Sequence, residues 1–251
     1  IEDPDSGKKY HLEIAIDVTD DTTKEAAEDV AVKIYQDMEM LVNRGMKEAI
    51  SAESPDESIK IILEHMGKAL NGERTYIFEK NKNGGDDNTY EWCAPGIKPE
   101  KENLQNVPPE VEANWYRRFE EGKSVIIDDL EDIKENDPLQ YENLKRQGIN
   151  SVVVVPLYDN GKVIAFYGVD NPPPVVLYYS HDMLQIAASF IIACLKRKKL
   201  LSKLMELSYT DALTKFGNRF ALTEYVKQMD IAQSIAVVYC DITGLKKVND
   251  T

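Results

Sequence analysis

The chain has 251 residues, with 30 Lys and Arg against 44 Asp and Glu, for a formal net charge of −14. That balance repels phosphate backbones and anionic lipid, so neither nucleic acid nor membrane contact is expected in this segment. Hydrophobic residues make up 43% of the chain, enough apolar surface to exclude disorder throughout, and the length allows one complete domain plus substantial flanking pieces.

The dense basic run Lys196, Arg197, Lys198 and Lys199 follows an apolar helical stretch and reads as a solvated helix face. Cys93, Cys194 and Cys240 are far apart with no CxxC pair, so neither a disulfide framework nor a zinc site is expected. A reducing compartment, the cytoplasm, suits such cysteines. No signal peptide is visible, and no apolar run reaches the ~20 residues needed to span a bilayer.

Alternating Tyr10, Leu12, Ile14, Ile16 and Val18 predict a half-buried strand with no partner strand before it, as if the chain were cut from something longer. Thr22 and Glu25 form a capping box for a helix over residues 23–49. In it Ala27, Ala31, Ile34, Met38, Leu41 and Gly45 recur at spacings of four and three, which fits a coiled-coil seam or a stripe packed on the helix's own domain.

Ser54-Pro55-Asp56-Glu57 combines a serine cap, proline in the first turn and glutamate three residues after the cap, so a helix begins there. Ile59, Ile62, Leu63, Met66 and Leu70 form its buried stripe, and Asn71-Gly72 stops it. Strands over 75–79 and 89–94 flank Asn83-Gly84-Gly85-Asp86 as a hairpin. A long loop leads to a helix over 110–121 closed by Gly122, a strand over 124–128 and a short helix toward Gly148. Strands over 151–158 and 163–170 then meet across Asp159-Asn160-Gly161-Lys162, a tight turn by composition. A three-proline break precedes a helix over 180–207, where Leu184, Ala188, Ile191 and Leu195 continue into Leu201 and Leu204. With the first helix, this second seam predicts a parallel homodimer. The alternative is that these residues only cover the sheet.

This order gives an α+β fold, an antiparallel sheet with helices at its ends. Arg74-Thr75-Tyr76-Ile77-Phe78-Glu79, Gly148-Ile149-Asn150-Ser151 through Val155-Pro156-Leu157, and Tyr167-Gly168-Val169-Asp170-Asn171 resemble a GAF domain over residues 51–200. Gly7-Lys8-Lys9 and Asp17-Val18-Thr19 resemble the last strand of a PAS domain, which would occupy residues 1–20, with a linker helix over 21–50.

Residues 201–251 hold a signalling helix and a further resemblance. Asp211-Ala212-Leu213-Thr214-Lys215-Phe216-Gly217-Asn218-Arg219 is similar to the opening signature of GGDEF domains, which make cyclic di-GMP from two GTP. That family usually has Gly-Leu where this chain has Lys215-Phe216. A strand over 235–240 runs into Asp241-Ile242-Thr243-Gly244-Leu245-Lys246-Lys247-Val248-Asn249-Asp250, which resembles the family's first metal-binding segment. The resemblance implies Mg²⁺ and GTP as cofactor and substrate of a complete parent enzyme. Asp241 and the Ile242 carbonyl would be metal ligands, Lys246 would neutralise phosphate and Asn249 would read the guanine edge. Thr243 and Leu245 stand where the family commonly has Asp and Phe. No Gly-Gly-Asp/Glu-Glu-Phe follows, so these 251 residues by themselves are expected to lack a competent cyclase site.

GAF domains as a family bind cyclic nucleotides, tetrapyrroles, haem, small metabolites or nothing, and the residues do not choose among them. Trp92, Trp115, Tyr116, Phe119 and Tyr167 are candidates to line a pocket between the sheet and the segment between Ala94 and Val125, where Arg117 and Arg118 could hold an anionic group. The same aromatics at these spacings also suit plain core. Cys93 lacks a basic neighbour, and His65 and His181 read as packed or capping histidines. The resulting expectation is a sensory and dimerising region that regulates a diguanylate cyclase. A rigid spacer or an active cyclase are the alternatives.

Overall fold

The computed structural model describes the backbone of residues 21–229 together with Val238 and Cys240, with side chains from Val30 onward. The strand expected over 10–18, Ala27 of the first seam, and Asp241, Ile242, Lys246 and Asn249 lie outside these described residues or side chains. The chain divides into two units, Ile1–Lys198 and Lys199–Thr251.

In the first unit, α1 (Asp21–Ile50) and α2 (Pro55–Ala69) precede a hairpin of β1 (Arg74–Lys80) and β2 (Asp86–Cys93). A 3₁₀ turn at Lys101–Asn103 and α3 (Pro109–Glu120) lead to β3 (Val125–Ile127). A second 3₁₀ turn at Leu130–Ile133 and α4 (Pro138–Arg146) lead to the hairpin β4 (Val152–Asp159) and β5 (Lys162–Asp170), and α5 (Pro174–Tyr209) follows. The strands form one antiparallel sheet in the order β2-β1-β5-β4-β3.

The local signals act as chemistry requires. Ser54 Oγ accepts from Glu57 N, satisfying one of the first-turn amides that have no helical partner. All five residues of the expected stripe, Ile59, Ile62, Leu63, Met66 and Leu70, are buried. Asn71 takes the left-handed conformation after the helix, at φ 47°. Asn160 and Gly161 both have positive φ, as a two-residue hairpin turn demands.

Successive strand residues face opposite sides, so the sheet has two separate cores. On one side Ile77, Val153, Val155, Tyr167 and Val169 pack beneath α1, α2 and α5. On the other, Tyr76, Phe78, Val152, Val154 and Phe166 meet α3, α4 and their connections.

Three expectations about the helices need correction. The last helix of this unit begins at Pro174 rather than 180, because proline is at home in a first turn. Its expected intermolecular seam, Leu184, Ala188, Ile191 and Leu195, is buried against the domain's own sheet, while Leu201 and Leu204 beyond it are exposed. In α1 the buried face is Met38, Val42, Gly45 and Ala49, with Gly45 against His65 and Leu41 exposed, so Val42 and not Leu41 turns inward. By length and composition α5 also holds an 18-residue window apolar enough to cross a bilayer, and 44% of that window is buried within the fold.

At the end of the first unit Lys198 Nζ lies 2.8 Å from Asp56 Oδ1 and donates to the Tyr90 hydroxyl at 2.6 Å, and that hydroxyl donates to Asp56. The knot joins α5 to the first turn of α2 and to β2.

In the second unit, α5 ends in a tight joint before α6 (Arg219–Gln228). Asp211 Oδ1 accepts from the amides of Leu213 and Thr214 and from the Thr214 hydroxyl. Asn218 caps α6 by accepting from Ala221 N and donates through Nδ2 to Ser208 O. Tyr209 and Phe220 pack edge to face at 5.2 Å.

Candidate functional site

The strand register brings Arg74, Tyr76 and Phe78 of β1 opposite Asp170, Gly168 and Phe166 of β5, all on the face that α3 and α4 cover. Phe166 is the hub of this face. It stacks on Phe78 at 4.9 Å and meets Trp115 edge-on at 5.7 Å, and Phe119 lies at 5.9 Å. Each such pair adds ~0.5–1.5 kcal/mol beyond area burial. Gly168 has to be glycine, since a Cβ there would sit 2.8 Å from the Tyr76 hydroxyl oxygen. Its absence lets the Tyr76 ring lie across the strand.

Between this sheet face and the two helices lies a cavity of about 20 Å³. Its wall includes Tyr76, Phe78, Trp115 and Phe166, with Glu112 of α3 and Gln140 of α4. Glu112 is reached from Trp115 and Phe119 at helical spacing, which turns a carboxyl onto the buried face of α3. Glu112 Oε2 and Gln140 Oε1 are buried without a hydrogen-bond partner. Burial, and then the Asp86 carboxylate beside it, push the Glu112 carboxyl well above the ordinary range, so it holds its proton at neutral pH. Asp86 itself accepts from the Tyr116 hydroxyl at 2.8 Å.

At one end of the same face, Arg74 and Asp170 form a buried ion pair at 3.4 Å. Arg74 also donates to the carbonyls of Lys98 and Gln147, which ties the segments that follow β2 and α4 to β1. Asp170 Oδ1 has no partner, and burial pushes its carboxyl up to about 7 against the pull of Tyr76 and Arg74.

The five aromatics expected to share a pocket are divided by the sheet. Trp115, Tyr116 and Phe119 lie on the cavity's side, although only Trp115 lines it. Tyr167 is fully buried on the opposite side, because it neighbours Phe166 in a strand. Trp92 also belongs there, its ring laid against Gly67 of α2 so closely that a Cβ would overlap it at 2.0 Å. The expected pocket borders, the sheet and the segment between Ala94 and Val125, omit α4, which supplies Gln140, Asn143 and Leu144. Arg117 and Arg118 are outside this cavity; they border a separate surface groove of about 230 Å³ beside β3.

Cys93 is half-buried and its thiol is pushed up to about 11, first by burial and then by Glu91, so it stays un-ionised at neutral pH. His65 pairs with Glu48, and His181 meets Ser124 and Asp182, leaving both in structural roles. Among the described residues no three His, Cys, Asp or Glu side chains are grouped to hold a metal.

Known proteins agree with this architecture. The phycoerythrobilin-bound GAF domain of a cyanobacterial phytochrome is 13% identical, with a TM-score of 0.54 over 66% of this chain and 98% of that one. The GAF domain of a phosphoenolpyruvate-protein phosphotransferase from Coxiella burnetii is 11% identical, with a TM-score of 0.52 over 67% of this chain and 98% of that one. Such likeness speaks to fold alone. In sequence, a methanogenesis regulatory histidine kinase, FilI, of Methanothrix harundinacea (strain 6Ac) is 26% identical over 121 residues. That match takes in 46% of this chain and spans 13% of the kinase. Residues 54–195 match the GAF domain family, so a five-stranded antiparallel sheet, its two helical layers and the cavity beneath Phe166 are those of a chain that belongs to it.

Proposed function

We propose that this chain is the sensory and dimerising region of a diguanylate cyclase, in which occupancy of the cavity under Phe166 biases the helices that lead to a GGDEF output domain. The observation that carries the sensory part is an aromatic cavity lined by two buried polar groups with no protein partner, Glu112 and Gln140, because such groups cost ~1–3 kcal/mol each unless something pairs with them. The output part rests on the motifs from Asp211 to Arg219 and from Asp241 to Asp250. On this reading Mg²⁺ and GTP belong to the parent enzyme, which works in the cytoplasm. Asp241, Ile242, Lys246 and Asn249 would hold them there.

Dimerisation is supported by apolar side chains of α5 and α1 left exposed, Leu200, Leu201, Leu204 and Leu207 with Leu41, after the domain's own core has taken the rest. A tetrapyrrole is disfavoured here. Cys93 is un-ionised, and a cavity of about 20 Å³ falls far below the ~300–1,000 Å³ of ordinary ligand sites. That same small volume favours a second reading, a GAF domain that serves as a rigid spacer. The sequence relative is named a regulatory histidine kinase, which makes a kinase output the competing assignment for the parent.

Native mass spectrometry of freshly purified chain tests oligomer and retained ligand together. A dimer, and a rise in melting temperature with a small metabolite that Trp115→Ala removes without unfolding the domain, are expected. A monomer with no thermal shift across the panel would leave the spacer reading as the better one. Cyclic di-GMP formation against autophosphorylation in the longer parent separates the two outputs.

A further inference from the structure

The atoms left unpaired on the cavity's side of the sheet share one property. Glu112 Oε2 and Gln140 Oε1, in residues only 3% and 1% exposed, are both acceptors, and both side chains line the cavity. Asp170 Oδ1 and Asn88 Oδ1, the latter opposite Phe78 in the register, are two more on the same sheet face. With Glu112 ionised, whatever completes this site must bring donors. Around the two acceptors stand Tyr76, Phe78, Trp115 and Phe166, whose rings attract positive charge. An ammonium group offers several N–H donors, a charge that matches a carboxylate, and a fit to aromatic surroundings. The volume of about 20 Å³ restricts the occupant to a very few heavy atoms.

We propose that the cavity binds a small alkylammonium cation of about the size of methylammonium, with Glu112 as its counter-ion and Gln140 Oε1 as its second acceptor. This rests on the sensory reading and names its ligand class. The charged and titratable groups around Glu112 are Asp86 of β2, Tyr116 of α3, and Lys80 and Tyr76 of β1; Gln140, from α4, is neutral. In the empty cavity the Glu112 carboxyl keeps its proton. Entry of the cation as RNH₃⁺ releases that proton to solvent, leaving RNH₃⁺ beside the carboxylate, so one proton leaves for each cation bound.

Isothermal titration of the full chain with methylammonium chloride, against potassium chloride and acetamide at matched ionic strength, tests this. Saturable binding of methylammonium alone is expected, weakening ~10-fold for each pH unit lowered from 8.5 to 6.5, with about one proton released. Glu112→Gln should weaken it at least ~10-fold while circular dichroism and melting temperature remain those of a folded domain. Gln140→Leu, which removes the second acceptor from another helix, provides the same test should Glu112→Gln fail to fold. Absent heat, equal binding of acetamide, or unchanged affinity in both variants overturns the assignment. If other metabolites shift the melting temperature and methylammonium does not, this ligand class is wrong while the sensory reading stands. If no compound shifts it, both fall.

Discussion

The two faces of the sheet are made by alternate residues of the same strands, yet they are packed to different ends. Beneath α1, α2 and α5, the side of Ile77, Val155, Tyr167 and Val169 is apolar, with the Tyr167 hydroxyl its one unpartnered side-chain atom among the described residues. Beneath α3 and α4, Phe166 gathers an aromatic cluster around a space into which Glu112 and Gln140 bring unpaired oxygens. The first face supplies stability. The second gives some up, since buried polar groups without protein partners cost free energy, and such concessions gather where a protein has something to bind.

The largest test of this contrast is Phe166→Ala. Phe166 is fully buried and touches Phe78, Trp115, Tyr116 and Phe119, so urea denaturation should show a loss of ~3–5 kcal/mol. A loss below ~1 kcal/mol would mean that the cavity's face is not organised around this ring.

A smaller effect should come from pH. Glu112 and Asp170 have carboxyls raised above their unfolded values, so at pH 5–7 the folded state holds protons that the unfolded state has released. Stability should therefore fall as pH rises from about 5, with a slope of up to ~1.4 kcal/mol per pH unit for each such group. The Asp170 part levels off above about 7. The Glu112 part continues further, and Glu112→Gln should remove it. Urea midpoints at pH 5.5 and 8.5 measure both, and a flat or rising profile would break the contrast between the faces.

The smallest effect lies in the second unit. Lys215 sits at φ 64°, a left-handed position that costs a side chain roughly 1 kcal/mol and glycine almost nothing. Lys215→Gly should raise the stability of the joint by ~0.5–1 kcal/mol, read as slower amide exchange at Asp211 and Lys215.

Much of this was legible in the chain. The Ser54 cap, the Asn160-Gly161 turn and the apolar strands that the turn joins are local signals, and each formed where its residues stand. What could not be read was which aromatics share a space. Treating Tyr167 and Trp92 as companions of Trp115 ignored strand alternation, which sends Phe166 and Tyr167 to opposite sides. Glu112 did leave a signal, three residues before Trp115 and seven before Phe119 on one helical face. Its partner across the cavity, Gln140, comes from a helix whose position is decided only by packing.

The knot of Lys198, Asp56 and Tyr90 has an architectural corollary. The segment in which the family fold begins, at Ser54, and the last residue of the unit, Lys198, are fastened side by side. α1 packs on the same core ahead of this point, so a cut at Ser54 would strip Met38 and Val42 from it, whereas a cut beyond Lys198 leaves that core whole. Lys198 with Asp56 is the clasp that keeps the start of α2 against the outgoing helix.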